Sequence, residues 1–481
     1  MLKPKIIAGI ILLPLIFGMV VACGKATEKT SGTIAEETTE EEEKFKLPEY
    51  NFDGYNFNIL AAAEQWANYY YVESESGDVV DDAVYNRNRA AEELYNVAIN
   101  YHVLNGYMAG MPAVATALRG AVNSGAGEFD LAIINVAYIS GRILEGLFVD
   151  INTVDTINLD NPWWFDKINK EITVANKLYT ISGSYSLMSI TNAWCMYFNK
   201  LLINDYDLDN PYMLVDSGKW TFDKMLEMGN EVCMDLNGDG KHDGEDRYGL
   251  ISGGGETFYA LRYGMGTTIT NFDSDGYPVL DGASEKMVTV FDKLKALYDD
   301  KEYFYMVSGV TQDAQAYMFS ANKALFMSYP IKITENAIMR EFEDYGILPQ
   351  PKLDELQDSY YSLCLGDGYS IPTVVNDEKM SGAVLEALNM ESYLNVVPKY
   401  YDIALQRKYT RDNESSAMLD IIRNNCIMDF GALYRAELGD AIFFIQSIIT
   451  GNTDYTTWWG KNETSIQTKL EDIIEQIKAL D

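Results

Sequence analysis

Two separated stretches of this chain repeat one alternation of periodicity, and that alternation confines it to a layered α/β architecture. Phe57-Asn58-Ile59-Leu60-Ala61-Ala62 is a strand-like apolar run, and Val80–Asn96 after it places Ala83, Val84, Ala90 and Leu94 at helical spacing. Val97–Val103 reads as a second strand. Pro112 suits the first turn of a helix that Ser124-Gly125 ends near Val122. Phe129–Ile134 then reads as a third strand. A strand–helix–strand–helix–strand series requires a parallel sheet covered by helices, with right-handed crossovers.

The series restarts at Trp194-Cys195-Met196-Tyr197-Phe198, and Thr221 caps a helix expected to run to about Cys233. Further helices are expected near 283–300, 313–319, 379–406 and 463–480, with short strands at Ala324–Ser328 and Tyr345–Leu348. Two α/β lobes suit 481 residues better than one very large sheet, and no short-period repeat is visible.

The N-terminal segment is an address. Lys3 and Lys5 precede the uncharged run Ile6–Val21, which is shorter than a spanning helix needs and is interrupted by Pro14. Val20-Val21-Ala22-Cys23 resembles a bacterial lipobox, whose cysteine is lipidated and becomes the mature N-terminus. Residues 1–22 are therefore expected to be a lipoprotein signal and Cys23 an acylated anchor on the outer face of the cytoplasmic membrane. Residues 23–50, with Glu40-Glu41-Glu42-Glu43, hold too few large apolar side chains to fold and read as a solvated tether.

Charge narrows the partners. A net charge of −35 repels nucleic acid and anionic headgroups, so no nucleic acid is expected, and membrane contact is expected only through the lipid. Only His102 and His242 are present, which nearly removes chemistry needing several imidazole ligands. Cys195, Cys233, Cys364 and Cys426 lack CxxC spacing and sit beside apolar residues, so they read as small buried hydrophobes. Their pairing stays open.

The sharpest local motif is Asp235–Asp246. Asp235, Asn237, Asp239 and Asp243 place side-chain oxygens at positions 1, 3, 5 and 9 of an EF-hand-like loop. Lys241 offers its carbonyl at 7, and Gly240 takes the sharp turn at 6. Asp246 stands at position 12 where Glu is usual. A structural Ca2+ is the expected occupant. Catalytic motifs are weak: Ser320-Ala321-Asn322-Lys323 matches SxxK without a partner motif, and Ser252-Gly253-Gly254-Gly255-Glu256 lacks the Lys-Ser/Thr of a phosphate loop. With 72 acidic residues a glycosidase carboxylate pair stays open, though nothing marks one.

Several pieces in order carry a resemblance. They are Phe129-Asp130-Leu131-Ala132, Gly146-Leu147-Phe148-Val149-Asp150, Pro162-Trp163-Trp164 and Asn176-Lys177-Leu178-Tyr179. Met196–Lys200, Lys219-Trp220-Thr221-Phe222, Lys323-Ala324-Leu325-Phe326, Gly346-Ile347-Leu348-Pro349 and Ile371-Pro372 follow. From about Phe57 onward the chain resembles the extracellular solute-binding proteins of ABC importers, family 1, including the maltose-binding type. The resemblance implies a periplasmic-binding-protein type 2 fold. Its lobes would be 51–190 with 366–405, and 191–365 with 406–481, hinged near Ser189–Asn192 and Cys364–Gly366. An Asp-rich loop like 235–246 is common in that family.

In open α/β sheets ligands sit beyond the carboxyl ends of strands. That rule and the resemblance together select Glu64, Gln65, Trp66, Asn135, Tyr138 and Asn192, then Glu256, Phe258, Tyr259 and Tyr329, then Asp367, Tyr369, Phe430 and Tyr434. Aromatic faces stack on a sugar ring while amides and carboxylates bond its hydroxyls. The implied protein is a monomeric, non-enzymatic, lipid-anchored receptor that closes on a carbohydrate and delivers it to ABC permease subunits. A secreted glycosidase, a surface glycan binder without a transporter, and peptide or polyamine ligands stay as alternatives.

Overall fold

The computed structural model describes residues 45–480 apart from 63, 107, 308–311, 343, 406–412, 440–444 and 452. The signal segment, Cys23 and the tether up to residue 44 lie outside the described residues.

The strands, in chain order, are β1 (Tyr55–Ala61), β2 (Val97–Val103), β3 (Leu131–Asn135), β4 (Trp194–Asn199), β5 (Tyr248–Ser252), β6 (Thr270–Phe272) and β7 (Pro278–Leu280). They continue with β8 (Phe304–Met306), β9 (Ala324–Pro330), β10 (Tyr345–Leu348), β11 (Ser362–Leu363), β12 (Asp367–Ser370) and β13 (Cys426–Ile427). One sheet has the order β12-β3-β1-β2 and a second the order β10-β4-β9-β5-β8. Neither is wholly parallel, which corrects the expectation. β12 runs antiparallel to β3, and β4 runs antiparallel to both β9 and β10. Each antiparallel strand follows a segment arriving from the other sheet, so it enters its sheet from the end where the parallel strands finish.

Local signals place the helices. The Asp78 carboxylate accepts from the Val80 and Asp81 amides and starts Val79–Tyr95. Asn96, at φ 51°, ends that helix in the left-handed region and turns the chain straight into β2. Thr221 caps Phe222–Asn230, a shorter helix than the spacing suggested. The long helical stretch after residue 378 is two helices, Glu378–Glu391 and Val397–Leu405, joined by a π-turn at Ser392–Val396.

That π-turn serves a buried cation. Arg87 is 1% exposed and, among the described residues, pairs with no carboxylate. It donates instead to the carbonyls of Tyr70 and Tyr185, to Ser392 Oγ and to Asn88 Oδ1, and it stacks on the Tyr185 ring. A charge so far from water is tolerable only with its donors satisfied, so Arg87 ties the helix Val79–Tyr95 to the loops leading into and out of the first sheet. Glu386 is the acidic counterpart. It is 2% exposed and accepts from both indoles of Trp163 and Trp164, from Asn161 and from the Asn158 amide. Burial outweighs these donors and raises its carboxyl to about 7. The same cause raises Glu171 to about 7, and Asp130 and Asp367 to about 6.

Unfolded, such carboxyls ionise near pH 4. As pH rises above that value the unfolded chain releases protons that the folded chain keeps, so folding is progressively disfavoured until the folded groups also ionise. Thermal unfolding midpoints should therefore fall as the pH is raised from about 5 to about 8. For Glu386 alone the difference amounts to about 3 kcal/mol, and Glu386→Gln should flatten the slope. A wild-type profile that is level across this window would contradict the account.

Candidate functional site

The two sheets are joined by segments that touch where their strands end. Antiparallel pairing sets Asp367 beside Asn135, and Trp194 beside Pro330. Between them, Ala193 on the outgoing crossing bridges Cys364 on the returning one. The Leu365 carbonyl collects Asn135 Nδ2 at 3.1 Å and Asn192 Nδ2 at 3.4 Å, and the Gly366 carbonyl accepts from the Val136 amide. Cys364 Sγ donates to the Ser189 carbonyl at 3.0 Å. Local folding fixes Asn135 in particular, because its Oδ1 caps the helix Val136–Leu144 through the Ala137 amide while its Nδ2 reaches across to Leu365.

Aromatic surface gathers around this junction. The Trp194 and Tyr329 rings lie 6.0 Å apart at 44°. Trp194, Tyr259, Tyr361 and Leu365, all partly buried, pack on the interior cluster Tyr263, Leu363 and Ile427. Glu256 is exposed at the start of the helix Glu256–Gly264. Burial raises the Tyr329 phenol, with a Gln312 hydrogen bond opposing that shift and the Glu256 carboxylate adding to it. The turn from β5 into that helix is tight: a Cβ on Gly253 would run into the Gln315 amide, which would have to move to admit a side chain. On the other side, the Arg435 guanidinium stands 5.8 Å from the centre of the half-buried Tyr138 ring. Glu335, just after β9, receives the Tyr400 hydroxyl at 2.8 Å and the Tyr69 hydroxyl at 3.4 Å, which links the segments following β1 and β9.

Asn135, Tyr138, Asn192, Glu256, Tyr259 and Tyr329 thus retain accessible surface near the strand ends, as does Trp66 in the 3-10 segment Glu64–Tyr69. The side chains of Glu64 and Gln65 lie outside the described residues. Five other expected residues are interior and present no face to a solute. Phe258 packs on Tyr298 and Phe304. Tyr369 donates to the Gly183 carbonyl and accepts from the Ser186 amide, and Asp367 takes the Ser186 hydroxyl. Phe430 and Tyr434 stack on each other at 4.3 Å. The reason is common to all five: a residue near a strand end or helix start points either outward or into the sheet–helix layer, and position along the chain does not say which. Trp194, Leu365 and Arg435 were missed. Trp194 opens a strand immediately after a crossing, a signal that was available.

The Asp-rich loop lies apart from this junction. Asp235 accepts from the Gly238 and Gly240 amides, Asn237 from Asp239, and Asp239 from Lys241. Asp246, 2% exposed, spends its oxygens on the amides of Leu236 and Asp243. Among the described residues no three His, Cys, Asp or Glu side chains converge as a metal cage. Cys195, Cys364 and Cys426 are buried, Cys233 is half-buried, and all four are free thiols.

The model of a family described as bacterial extracellular solute-binding protein matches residues 95–389, and the chain belongs to that family. No curated protein matches the chain by sequence. Among solved structures, the GacH receptor of Streptomyces glaucescens, studied unliganded and with acarbose, shares 12% identity over 87% of this chain and 99% of its own, with a TM-score of 0.55. The sugar-binding protein MalE of Xanthomonas citri shares 11% over 88% and 98%, with a TM-score of 0.57. UgpB of Mycobacterium tuberculosis, in complex with glycerophosphocholine, shares 14% over 88% and 98%, with a TM-score of 0.54. At such identities the likeness is one of fold: two lobes, each a sheet flanked by helices. Among the described residues no helix is long and apolar enough to cross a membrane.

Gly366 tests the tightness of the junction. A Cβ there would sit 2.5 Å from the Ser189 Cα, a backbone atom that cannot swing aside. Gly366→Ala should lower stability by about 1–3 kcal/mol, by analogy with overpacking, as measured by denaturant unfolding; an unchanged midpoint would show that the crossings have slack.

Proposed function

We propose that this chain is the lipid-anchored receptor of an ABC importer and captures a sugar or oligosaccharide by closing its two lobes. The observation that carries the reading is the convergence of the Trp194, Tyr259 and Tyr329 rings with Asn135, Asn192 and Glu256 where the two sheets meet. Ring faces suit the apolar face of a pyranose, and amides and a carboxylate suit its hydroxyls. A net charge of −35 favours a neutral guest over an anionic one. GacH with acarbose shows the fold holding an oligosaccharide-like ligand, and UgpB shows it holding a phosphodiester. Contacts made by both lobes supply the difference in affinity that favours the closed form. Anchoring is supported by Val20-Val21-Ala22-Cys23 and the acidic stretch after it.

Native mass spectrometry of freshly purified protein is expected to show a neutral solute bound one to one. Rebinding that solute should compact the protein in small-angle scattering. Tyr329→Ala should weaken binding about tenfold or more, equivalent to about 1.4 kcal/mol. Turnover of labelled glycans in place of retention would make the protein a hydrolase.

Calcium remains part of the proposal, as a staple for residues 235–246. The ligand spacing supports it, as does Gly240 at φ +73° in the sharp turn, whereas Asp246 is already occupied with backbone amides. Asp235, Asn237, Asp239, Asp243 and the Lys241 carbonyl would hold the ion. Adding Ca2+ should raise the thermal midpoint and a chelator should reverse the rise, with Asp239→Asn abolishing the difference. An indifferent midpoint would discard the site.

A further inference from the structure

A cavity of about 720 Å3 shares none of the residues expected at the strand-end junction, which it adjoins through the Tyr361 ring beneath Lys167. One wall is the segment 159–170 with Tyr393. Trp163 and Trp164 fasten this wall to Glu386, and so to the helices covering the first sheet. The other wall is the end of the helix Asn413–Asn424. Its Ser415 bonds Tyr212 Oη at 2.7 Å and the Ile347 amide of β10, which fastens it to the second sheet. Cys426, on the β13 strand that pairs with the returning crossing, also lines the cavity. The crevice is therefore built from both halves of the molecule.

Its side chains are held in place across the gap. Arg423 lies 4.6 Å from the Tyr393 ring centre and 6.0 Å from that of Phe165, and its Nη2 donates to the Pro162 carbonyl and Ser184 Oγ on the opposite wall. Lys167 Nζ donates to Asn425 Oδ1 at 2.7 Å and stands over the Tyr361 ring. Three cations, Lys167, Lys170 and Arg423, line the crevice together with three carboxylates, Asp160, Asp166 and Asp420, and Lys170 pairs with Asp166 one turn away on the same wall at 2.8 Å. The local charge cancels, within a chain that as a whole repels anions. Donors and acceptors stand beside aromatic faces, and the volume lies within the range of about 300–1,000 Å3 usual for small-molecule sites.

We propose that this crevice is a second binding site, for a neutral polyhydroxylated molecule of polyol to disaccharide size. Hydroxyl groups both donate to carboxylates and accept from ammonium and guanidinium groups, and a neutral molecule incurs no repulsion from the body. An occupant contacts both walls, so its binding is linked to the rotation of the lobes and hence, reciprocally, to the affinity of the strand-end site. The binding claim stands without the receptor reading; only the linkage rests on it.

The test is saturation-transfer NMR of the full chain with trehalose, sucrose and myo-inositol as probes. In a Tyr329→Ala variant, whose strand-end site is weakened, at least one probe should still give a signal. That signal should be lost in Tyr329→Ala combined with Asp420→Asn, and in Tyr329→Ala combined with Tyr393→Ala; Asp420 is exposed, so its replacement is compatible with folding. Absence of signal for all three probes in Tyr329→Ala overturns the proposal, as does a signal indifferent to both crevice changes. The receptor reading is judged separately, by solute binding in Asp420→Asn alone. There the strand-end affinity should also lose its dependence on added probe, a several-fold effect in wild type.

Discussion

The structure depends on a narrow set of backbone contacts between two crossing segments. The Ala193–Cys364 bridge and the Leu365 carbonyl, shared by Asn135 and Asn192, are where one sheet becomes mechanically continuous with the other. The contacts are specific, and Gly366 leaves no room against Ser189. A junction of this kind fixes the position of the strand ends while leaving the bulk of each half free to keep its own core. Side chains set on those ends are held by hydrogen bonds that belong to the fold, so they are oriented before any solute arrives.

Behind the sheets the protein keeps two buried charged side chains, Arg87 and Glu386. Arg87 is satisfied by carbonyls and hydroxyls, and Glu386 by indole, amide and backbone donors. Neither forms an ion pair with the other. Each instead joins loops to helices, where apolar packing alone would tolerate sliding. A half-satisfied group of this kind costs more than an apolar replacement. The completeness of both shells therefore argues that they specify geometry, here the placement of the segments that carry the crossings and the walls of the crevice at Arg423.

Much of the architecture was legible from periodicity. The bounds of β2 and β10 and the cap at Thr221 follow from alternation and capping chemistry, which act over a few residues. Strand direction was not legible: β4 looks like any other apolar run, β12 (Asp367-Gly368-Tyr369-Ser370) has no apolar run to mark it as a strand, and only arrival from the opposite sheet makes both antiparallel. The site divides in the same way. Asn135 lies at an accessible strand end as the general rule for open sheets requires, and Tyr259 keeps surface on the helix that follows β5, whereas Phe258, one residue earlier, faces inward. A one-residue step on a helix turns a side chain by roughly a quarter of a circle, and the sequence does not say where that circle starts.

By itself, the sequence determined that this chain forms alternating strands and helices and that it carries a strongly acidic surface. These properties arise from local periodicity, from composition and from charge, none of which requires knowing what lies opposite. Tertiary structure alone decided which aromatic and amide groups keep surface, that Leu365 gathers two asparagines from distant segments, and that Asp246 turns inward onto its own loop. Contacts between residues far apart in the chain depend on how whole layers pack, and no local pattern encodes the rotation of one layer against the next.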